Sequence, residues 1–428
     1  MKRHVSLNVP VVVAFLLVSS LATAKTTLVH YAYTGHGQAY REFIEAAKLD
    51  FQKANPDIAI DVVEGNDYTK ALTMAIGGVG PDVLDMSTNL AFSYFDSGML
   101  CDLTPLMSKD KEFRIQEFIP AALVGYQARG ATFGLPSSIY QILCFYNRDL
   151  FLQAGVKEPS AMGSSWTWEA ALAAGKRLTR DRDGDGEMDQ WGVNANWEIY
   201  RWPVFAHQAG GLLFDRLVEP TKPTFDSPAG RAGLQFLASL WAENAAVPAS
   251  QIYSAHLLFY NGQIGFSLVD GPSSLASIPA NNNDQFEWDV VQLPKGPVHN
   301  GTYLIMNGFQ IAADSPHVEE AWRWLKFLVS RERLQDFMIR TGRTPARSAL
   351  LREIPKTLEQ IPNNLQAVSD AVLNPNSQPP YLTPIYSKLN GPSAQAIRPV
   401  LLGEKSVVNA LQELDTVAAA LLSDLEKQ

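Results

Sequence analysis

The chain has 428 residues, with 35 lysines and arginines against 44 aspartates and glutamates, and a formal net charge of −9. This length exceeds what a single hydrophobic core usually accommodates, so the sequence predicts two domains. The acidic balance and the absence of a concentrated basic patch exclude nucleic acids and anionic membrane surfaces as partners.

The first 24 residues have the pattern of a secretory signal peptide. Lys2 and Arg3 precede an apolar run from Val9 to Val18, and the small residues 22–24 form a cleavage site. The apolar run is too short to cross a bilayer, and no later segment offers the roughly 18 apolar residues that a membrane span needs. The sequence therefore predicts an exported, periplasmic protein that is not inserted in a membrane.

Strands and helices alternate after this segment. Thr27–Tyr33, Ile58–Val63 and Val83–Met86 have the composition of β-strands, and apolar spacing over 40–51 and 68–76 predicts helices between them. Such alternation is typical of an α/β fold whose mostly parallel sheet is flanked by helices. Ligands of these sheets bind at the carboxyl ends of the strands.

Two later segments have the apolar periodicity of amphipathic core helices. One pattern runs from Val318 toward Met338, and the other runs from Val408 to Leu425. Both segments are expected to pack against the sheets.

The two cysteines, Cys101 and Cys144, leave two alternatives open. They could form a disulfide in an oxidising compartment. Each also lies in an apolar run, where a cysteine behaves as a small buried residue.

Four phrases, in order along the chain, resemble the family of extracellular solute-binding proteins. This family includes the maltose-binding protein and supplies the sugar-capturing subunits of ATP-driven importers. The phrases are Gly80–Leu84 with Phe95–Thr104, Gly134–Pro136 with Phe145–Phe151, Gly262–Phe266 with Asp270–Pro272, and Glu320–Leu328 with Thr341–Arg347. Together they cover nearly the whole chain after the predicted signal peptide.

The resemblance implies the two-lobed fold of type II periplasmic binding proteins, in which two α/β lobes close on a ligand about a hinge. The implied N-terminal lobe comprises residues 25–137 and 303–342, and the implied C-terminal lobe comprises 141–299 and 346–428. Three crossovers, near 137–141, 299–303 and 341–346, would join them. The implied function is capture of a sugar or oligosaccharide, without catalysis, and its delivery to the permease of an ABC importer. We expect a monomer.

An aromatic cluster is the strongest candidate for stacking on a sugar, whose C–H faces pack on flat rings. Trp197, Tyr200 and Trp202 fall within six positions and are bracketed by Asn194 and Pro203. The matching stretch of the maltose-binding protein lines the ligand cleft. The alternative is ordinary packing, since tryptophans also fill interior space.

The resemblance also implies polar ligand-binding residues at strand ends and crossovers. At strand ends these are Tyr33, His36, Glu64, Thr88 and Asn89, and at crossovers they are Ser138, Tyr140 and Tyr303. Asn89 replaces an acidic sugar ligand of the relative, and Met86 and Ser273 replace two of its cleft tryptophans, so a different sugar is expected. Arg343 or Arg347 could pair with an anionic substituent of the ligand, or could form a salt bridge between the lobes.

One acidic loop resembles the calcium loop of an EF-hand. Asp181, Asp183, Asp185 and Asp189 occupy its positions one, three, five and nine, with Glu187 between the last two. Carboxylate oxygens in this array suit a structural Ca²⁺ ion, although position twelve is Gly192 and not the usual glutamate. A solvated acidic turn is the alternative, and no organic cofactor is expected.

Two rival functions remain. A secreted, calcium-dependent carbohydrate-active enzyme would need a pair of carboxylates in three dimensions. The sequence shows neither a nucleophile elbow, nor an H-E-x-x-H motif, nor a P-loop. A binding protein for a polyol, a sugar phosphate, a polyamine or a metal is the second rival. The absence of clustered metal ligands and of several cleft carboxylates favours a saccharide.

Overall fold

The computed structural model describes residues 25–357 and 362–427, so the predicted signal peptide lies outside the described residues. The strands are β1 (Thr26–Tyr33), β2 (Ile58–Gly65), β3 (Val83–Ser87), β4 (Gln127–Ala128), β5 (Ala131–Thr132), β6 (Leu135–Gln141), β7 (Leu143–Asn147), β8 (Trp191–Asn194), β9 (Ile264–Asp270), β10 (Trp288–Val291), β11 (Leu304–Ile311) and β12 (Thr344–Pro345). The first three match the predicted strands to within a residue or two.

The helices extend over both halves of the chain. They are α1 (Gln38–Ala54), α2 (Thr69–Ile76), α3 (Thr88–Asp96), α4 (Thr104–Lys109), α5 (Pro120–Val124), α6 (Arg148–Gln153), α7 (Pro159–Met162), α8 (Trp168–Leu178), α9 (Pro203–Gln208), α10 (Pro228–Ala242), α11 (Ala255–Tyr260), α12 (Ser274–Asn281), α13 (Val318–Leu328), α14 (Arg331–Thr341), α15 (Ser348–Leu351), α16 (Ile354–Thr357), α17 (Gln366–Leu373), α18 (Asn390–Leu401) and α19 (Val407–Glu426). Short 3₁₀ turns connect several of them, and one of these turns, Thr34–His36, directly follows β1.

Two separate sheets divide the molecule into lobes. A six-stranded sheet, in the order β12-β6-β11-β3-β1-β2, forms the N-terminal lobe. A four-stranded sheet, in the order β10-β7-β9-β8, forms the C-terminal lobe. The predicted two-lobed α/β fold is therefore confirmed.

The sheets are mixed, and not mostly parallel as predicted. β1 pairs in parallel with β2 and β3, but β11 is antiparallel to β3 and β6. In the second sheet, β7 is antiparallel to β9 and β10. The reason is the connection between the lobes: β6 leaves its sheet at the end from which β11 later enters, so the two strands must run in opposite directions.

The chain passes between the lobes at three places. The first is Ile142, between β6 and β7, and the second lies between β10 and β11. β12 still pairs with β6, and Arg347 forms a bridge with Phe118, so the N-terminal lobe continues past residue 342. By Tyr381 the chain has joined the C-terminal lobe, because the Tyr381 hydroxyl accepts a hydrogen bond from the backbone N–H of Leu213 at 2.7 Å. The third passage therefore lies between Arg347 and Tyr381.

The predicted helix from Val318 toward Met338 consists of two helices. α13 ends at Leu328, and α14 begins after Ser330, whose hydroxyl accepts a hydrogen bond from the backbone N–H of Arg333 at 3.3 Å. This serine is the N-cap of α14, and a capping side chain favours a new helix start. Both helices pack on α1 and keep the apolar faces that the periodicity predicted.

Each lobe has a core that contains large aromatic residues. Trp324 of α13 is fully buried in the N-terminal lobe and donates a hydrogen bond to His30 Nδ1 at 2.8 Å. α10, α18 and α19 pack together in the C-terminal lobe. Cys101 and Cys144 are unpaired. Within residues 25–357 and 362–427, no helix is both long enough and apolar enough to cross a bilayer.

Candidate ligand-binding site

A histidine lies between an acid and an arginine at the strand ends of the N-terminal lobe. His36 belongs to the turn after β1, and its Nε2 lies 3.2 Å from Asp85 Oδ2 on β3. Arg343 follows α14, and its Nη1 lies 3.0 Å from His36 Nδ1. Because a guanidinium can only donate hydrogen bonds, Nδ1 is the acceptor and the imidazole proton resides on Nε2, facing Asp85.

Gly342 makes this arrangement possible. It ends α14 in the left-handed region, with φ of 67°, which glycine adopts without steric cost. The chain then turns so that the Arg343 side chain reaches His36, and Arg343 Nη2 also donates to the His36 carbonyl at 3.3 Å. Two of the five N–H groups of Arg343 are therefore engaged by His36.

Tyrosine rings surround this histidine. Tyr33 stacks on Tyr68, with ring centroids 5.5 Å apart and planes 15° from parallel, and it meets His36 edge-on at 5.2 Å. Tyr40 also contacts the His36 ring, at 4.8 Å. The Tyr68 hydroxyl donates to the backbone carbonyl of Asp85. The strand ends therefore present both flat rings and charged hydrogen-bonding groups.

The Asp85 carboxylate is buried but stays charged. Burial by itself would raise the pKa of Asp85, but His36, Tyr40 and His30 together hold that pKa below its ordinary value. The same environment raises the pKa of the Tyr40 hydroxyl well above its usual range, chiefly through burial and then through Asp85. Asp85 therefore acts as an anionic anchor behind His36.

Tyr140 connects the N-terminal lobe to the strand ends of the C-terminal lobe. It projects from β6, and its hydroxyl donates to the carbonyl of Val269 on β9 at 3.1 Å. Its ring lies over Gly271, where an added Cβ atom would be 2.4 Å from a ring carbon. The guanidinium carbon of Arg201 lies 5.0 Å from the centre of the Tyr140 ring. Burial raises the pKa of the neighbouring Asp270.

A second aromatic surface lies on the C-terminal lobe. Trp197 and Tyr253 line a groove of about 560 Å³ together with polar atoms of Ser250, Gln395 and Arg398. Tyr253 is 68% exposed, so its ring is available for stacking. Trp197 is only 3% exposed and packs against Trp241 at 6.1 Å, so it forms the floor of the groove, and Tyr253 supplies the exposed ring.

Several residues that were predicted to bind the ligand are buried in the protein interior. Trp202 is fully buried and donates to Ser393 Oγ at 3.1 Å. Tyr303 is 5% exposed and stacks on His207 at 5.9 Å. Thr88 is buried and donates to the carbonyl of Met306 at 3.1 Å. We therefore leave these three residues out of the candidate site.

The remaining predicted residues lie in varied surroundings. Glu64 is exposed and lies 4.0 Å from Arg41 Nε. Tyr200 is half-buried and meets Tyr386 edge-on at 5.5 Å. Asn89 and Ser138 are buried, and within the described chain Asn89 Oδ1 and Ser138 Oγ have no hydrogen-bond partner.

Ser273 and Arg347 complete the set. Ser273 is half-buried ahead of α12, and its carbonyl accepts a hydrogen bond from Ser277 Oγ at 2.9 Å. Arg347 pairs with Glu117 inside the N-terminal lobe, so it does not bridge the lobes.

The acidic loop brings together three of its five predicted ligands. Asp181, Asp183 and Asp189 each offer a carboxylate oxygen within 4.8 Å of the others. Asp185 and Glu187 are exposed and do not belong to this group. Backbone N–H groups of Gly186 and Gly184 bond to the Asp181 carboxylate and lower its pKa.

The residues that sequence reasoning missed are Tyr68, Asp85, Arg201, Tyr253 and Asp270. Asp270 ends β9, so the rule that ligands bind at the carboxyl ends of strands could have found it. Asp85 lies inside β3, where only the tertiary contact with His36 reveals its role. Arg201 lies within the aromatic segment that the sequence had already marked.

Comparisons with known proteins show the family of this chain. Residues 32–333 match the family described as bacterial extracellular solute-binding protein. A binding protein of Brucella abortus is 23% identical over 394 residues, which cover 89% of this chain and 90% of the relative. The arabinooligosaccharide-binding protein of Bacillus subtilis is 30% identical over 172 residues, which cover 38% of this chain and 37% of that protein.

A solved structure extends the likeness over nearly the whole chain. An ABC substrate-binding protein of Listeria monocytogenes, in complex with cycloalternan, superposes with a TM-score of 0.82 at 25% identity. The superposition covers 93% of this chain and 99% of the other. The two-lobed architecture is therefore shared over both lobes.

Proposed function

The chain belongs to the family of bacterial extracellular solute-binding proteins, and from this membership we propose that its solute is a saccharide held between the two lobes. The observation that carries the proposal is the combination of tyrosine rings with fixed charged donors and acceptors at the facing strand ends. Tyr33 and Tyr68 supply the rings, and Arg343, Arg201 and Asp270 supply the polar groups. Sugars require both kinds of partner.

Closure of the lobes would complete the site. β6 carries Tyr140 out of the N-terminal lobe to the end of β9, so a rotation about Ile142 moves Tyr33 and His36 relative to Arg201. Hinge closure around a ligand removes water from both faces at once. The closed form would then be the form that the permease of an ABC importer binds.

The aromatic groove of Trp197 and Tyr253 supports a solute longer than one sugar unit. The groove opens on the C-terminal lobe. Trp197 precedes Arg201 by only four residues, and a hydrogen bond from the Arg201 N–H to the Glu198 carbonyl, at 2.8 Å, closes the turn between them. The arabinooligosaccharide-binding protein of Bacillus subtilis is named for a solute of several sugar units, which agrees with this interpretation.

We propose that the protein binds its solute without converting it. A glycoside hydrolase needs one carboxylic acid that can donate a proton and a second carboxylate that can reach the sugar. Asp85 is enclosed by His36 and Tyr40, and its pKa is lowered, so it is a poor proton donor. Asp270, whose pKa is raised by burial, could donate a proton, but the enclosed Asp85 cannot serve as the second carboxylate that reaches the sugar.

Export, and a monomeric state in the periplasm, complete the proposal. The pattern of residues 1–24 supports cleavage and export, and the family is described as extracellular.

Calcium binding is a separate proposal, supported by the three converging carboxylates Asp181, Asp183 and Asp189. Hydrogen bonds within the loop already orient Asp181 and Asp189, and each carboxylate oxygen keeps a further lone pair for a cation. The ion would stabilise this loop of the C-terminal lobe.

Thermal-shift screening of mono- and oligosaccharides tests the main proposal, followed by mass analysis of the saccharide after incubation. We expect the melting temperature to rise with a saccharide that is recovered unchanged. Absence of any saccharide-dependent rise, or recovery of a converted product, would contradict it.

A further inference from the structure

Two arginines of the site lack the acidic partners that the other enclosed arginines have. The described chain has seven arginines that are buried or half-buried. Five of them pair with carboxylates, and these are Arg41, Arg148, Arg323, Arg333 and Arg347. The other two are Arg201 and Arg343, and within the described chain neither forms an ion pair with a carboxylate.

A half-buried guanidinium without a counter-ion is unfavourable, because it loses part of its hydration and gains no opposite charge. Arg201 donates only to the Tyr200 carbonyl at 3.1 Å and to the Tyr140 hydroxyl at 3.5 Å. Arg343 donates to the ring and the carbonyl of His36. These hydrogen-bond partners are all neutral, so both guanidinium groups keep further donors and, among the described residues, have no carboxylate in direct contact.

The two arginines come from opposite lobes and converge on one side chain. Arg201 lies over the Tyr140 ring, and the positive charges of Arg201 and Arg343 both act on the Tyr140 hydroxyl. Lobe closure would bring two like charges closer together. That approach is unfavourable unless a negative group lies between them.

The nearby acids do not fill this role. Asp85 is buried behind His36, which takes up its charge through Nε2–H at 3.2 Å. Asp270 is enclosed, and burial favours its uncharged form. Asp85 acts on Arg343 and Asp270 acts on Arg201 through space, but no ion pair within the described chain joins either guanidinium group to a carboxylate.

We propose that the solute is an anionic saccharide whose carboxylate or phosphate group is held between Arg343 of the N-terminal lobe and Arg201 of the C-terminal lobe. The planar fork of an arginine matches the two oxygens of such a group. Contact with both lobes would couple recognition of the anion to closure. This inference rests on the proposed saccharide-binding function and defines its substrate class.

The test compares matched charged and uncharged saccharides. Digalacturonate is paired with its methyl ester, and glucose 6-phosphate is paired with glucose, with dissociation constants measured by calorimetry at low and high salt. We expect one acid to bind at least about ten-fold more tightly than its uncharged counterpart. We also expect the binding of this acid to weaken as the salt concentration increases. Preference for the uronate or for the sugar phosphate identifies which anion is bound.

Substitutions assign this preference to the two arginines. Arg343→Gln and Arg201→Gln should each remove most of this preference, because the affinity for the acid should fall much further than the affinity for its uncharged counterpart. Arg343→Lys keeps the positive charge but loses the planar fork of donors, so it should retain only part of the preference for the acid. Arg340→Gln is the control, because Arg340 is exposed on α14, the helix that precedes Arg343, and pairs with Asp336. Unfolding temperatures establish that each variant is folded.

The outcomes separate this inference from the function on which it rests. Equal affinity for the acid and its uncharged counterpart, or binding of neutral saccharides alone, would overturn the anionic-saccharide inference and leave saccharide binding intact. Failure of every neutral and anionic saccharide to bind would overturn the proposed function as well. A preference for the acid that persists in both glutamine variants would place the anion elsewhere and also overturn the inference.

Discussion

Arg343 donates a hydrogen bond to His36 Nδ1 across 3.0 Å, which leaves the imidazole proton on Nε2, facing Asp85. His36 therefore links the buried Asp85 carboxylate to the Arg343 guanidinium at the site. The rest of the site depends on this geometry, because the contact with His36 directs the remaining donors of Arg343.

Replacement of His36 tests this dependence. His36→Ala removes the acceptor for Arg343, and we expect about ten-fold weaker binding of the tightest saccharide found by screening. His36→Gln can still offer a carbonyl oxygen to Arg343 and should recover part of the affinity. Calorimetry measures both, and Arg340→Gln, at an exposed position of α14, is the control. Unchanged affinity in the alanine variant would mean that Arg343 needs no support from His36.

Tyr253 offers a direct test of the aromatic groove, because its side chain is exposed and its loss leaves no internal cavity. Tyr253→Ala should weaken oligosaccharide binding by about 1 kcal/mol, the typical contribution of one stacked ring. Tyr253→Phe should bind nearly as well as the natural chain. Leu257→Ala, at an exposed apolar position on the following helix, is the matched control. Equal affinities for all four proteins would remove the groove from the site.

The contact between Gly271 and Tyr140 predicts a non-additive pair of substitutions. A Cβ atom at position 271 would lie 2.4 Å from the Tyr140 ring, so Gly271→Ala must displace that ring. We expect about 1–3 kcal/mol of lost stability, as for other overpacked sites. The same change made in Tyr140→Ala should cost much less. Denaturant unfolding of the four proteins measures the coupling, and additive losses would contradict the contact.

Two buried histidines predict acid sensitivity. Burial lowers the pKa of His30 and of His207 to about 4, from an ordinary value near 6.5. The unfolded chain therefore binds more protons than the folded chain between these values, so stability is lost as the pH falls from 6.5 toward 4. For fully buried His30 the difference is on the order of 3 kcal/mol.

His30→Asn tests this assignment, since asparagine can still accept the hydrogen bond from Trp324 but does not titrate in this range. The loss of unfolding free energy between pH 6.5 and 4 should be smaller in this variant than in the natural chain. His256→Asn, at an exposed position, should leave the slope unchanged. A variant of His30 with the full natural slope would assign the acid sensitivity to other groups.

Calcium binding is tested by chelation. Addition of EDTA should lower the melting temperature and Ca²⁺ should restore it, because an ion that binds only the folded state stabilises it. Asp181→Asn with Asp189→Asn should abolish the response, whereas Asp185→Asn, outside the converging group, should retain it. No effect of EDTA on the natural chain would identify the loop as a solvated acidic turn.

Periodicity predicted the elements of this fold better than it predicted their pairing. The spacing of apolar residues over 40–51 and 408–425 matches α1 and α19, because a buried helical face requires that spacing. The break at Ser330 was missed, since the apolar pattern continues across it. The strand directions were also missed, because they depend on where the chain re-enters each sheet.

Site residues were predictable where local sequence implies location. Tyr33 and His36, which the family resemblance implied, follow a recognisable strand and lie together at the candidate site, and their role in ligand binding stays a prediction. The cluster of Trp197, Tyr200 and Trp202 was also visible, but the sequence could not tell which rings face solvent. Trp202 is buried against Ser393, which lies 191 residues away along the chain.

The sequence by itself determined the two-domain α/β class and the apolar faces of the helices, because length and periodicity are properties of the chain, and the family resemblance implied the two lobes and the region of the site. Only the tertiary structure decided which charges meet. Asp85, His36 and Arg343 are distant in sequence, and so are Tyr140 and Arg201, but the sheet and the crossover bring each set into contact. Electrostatic interactions act over distances in space, and the amino-acid order does not state those distances.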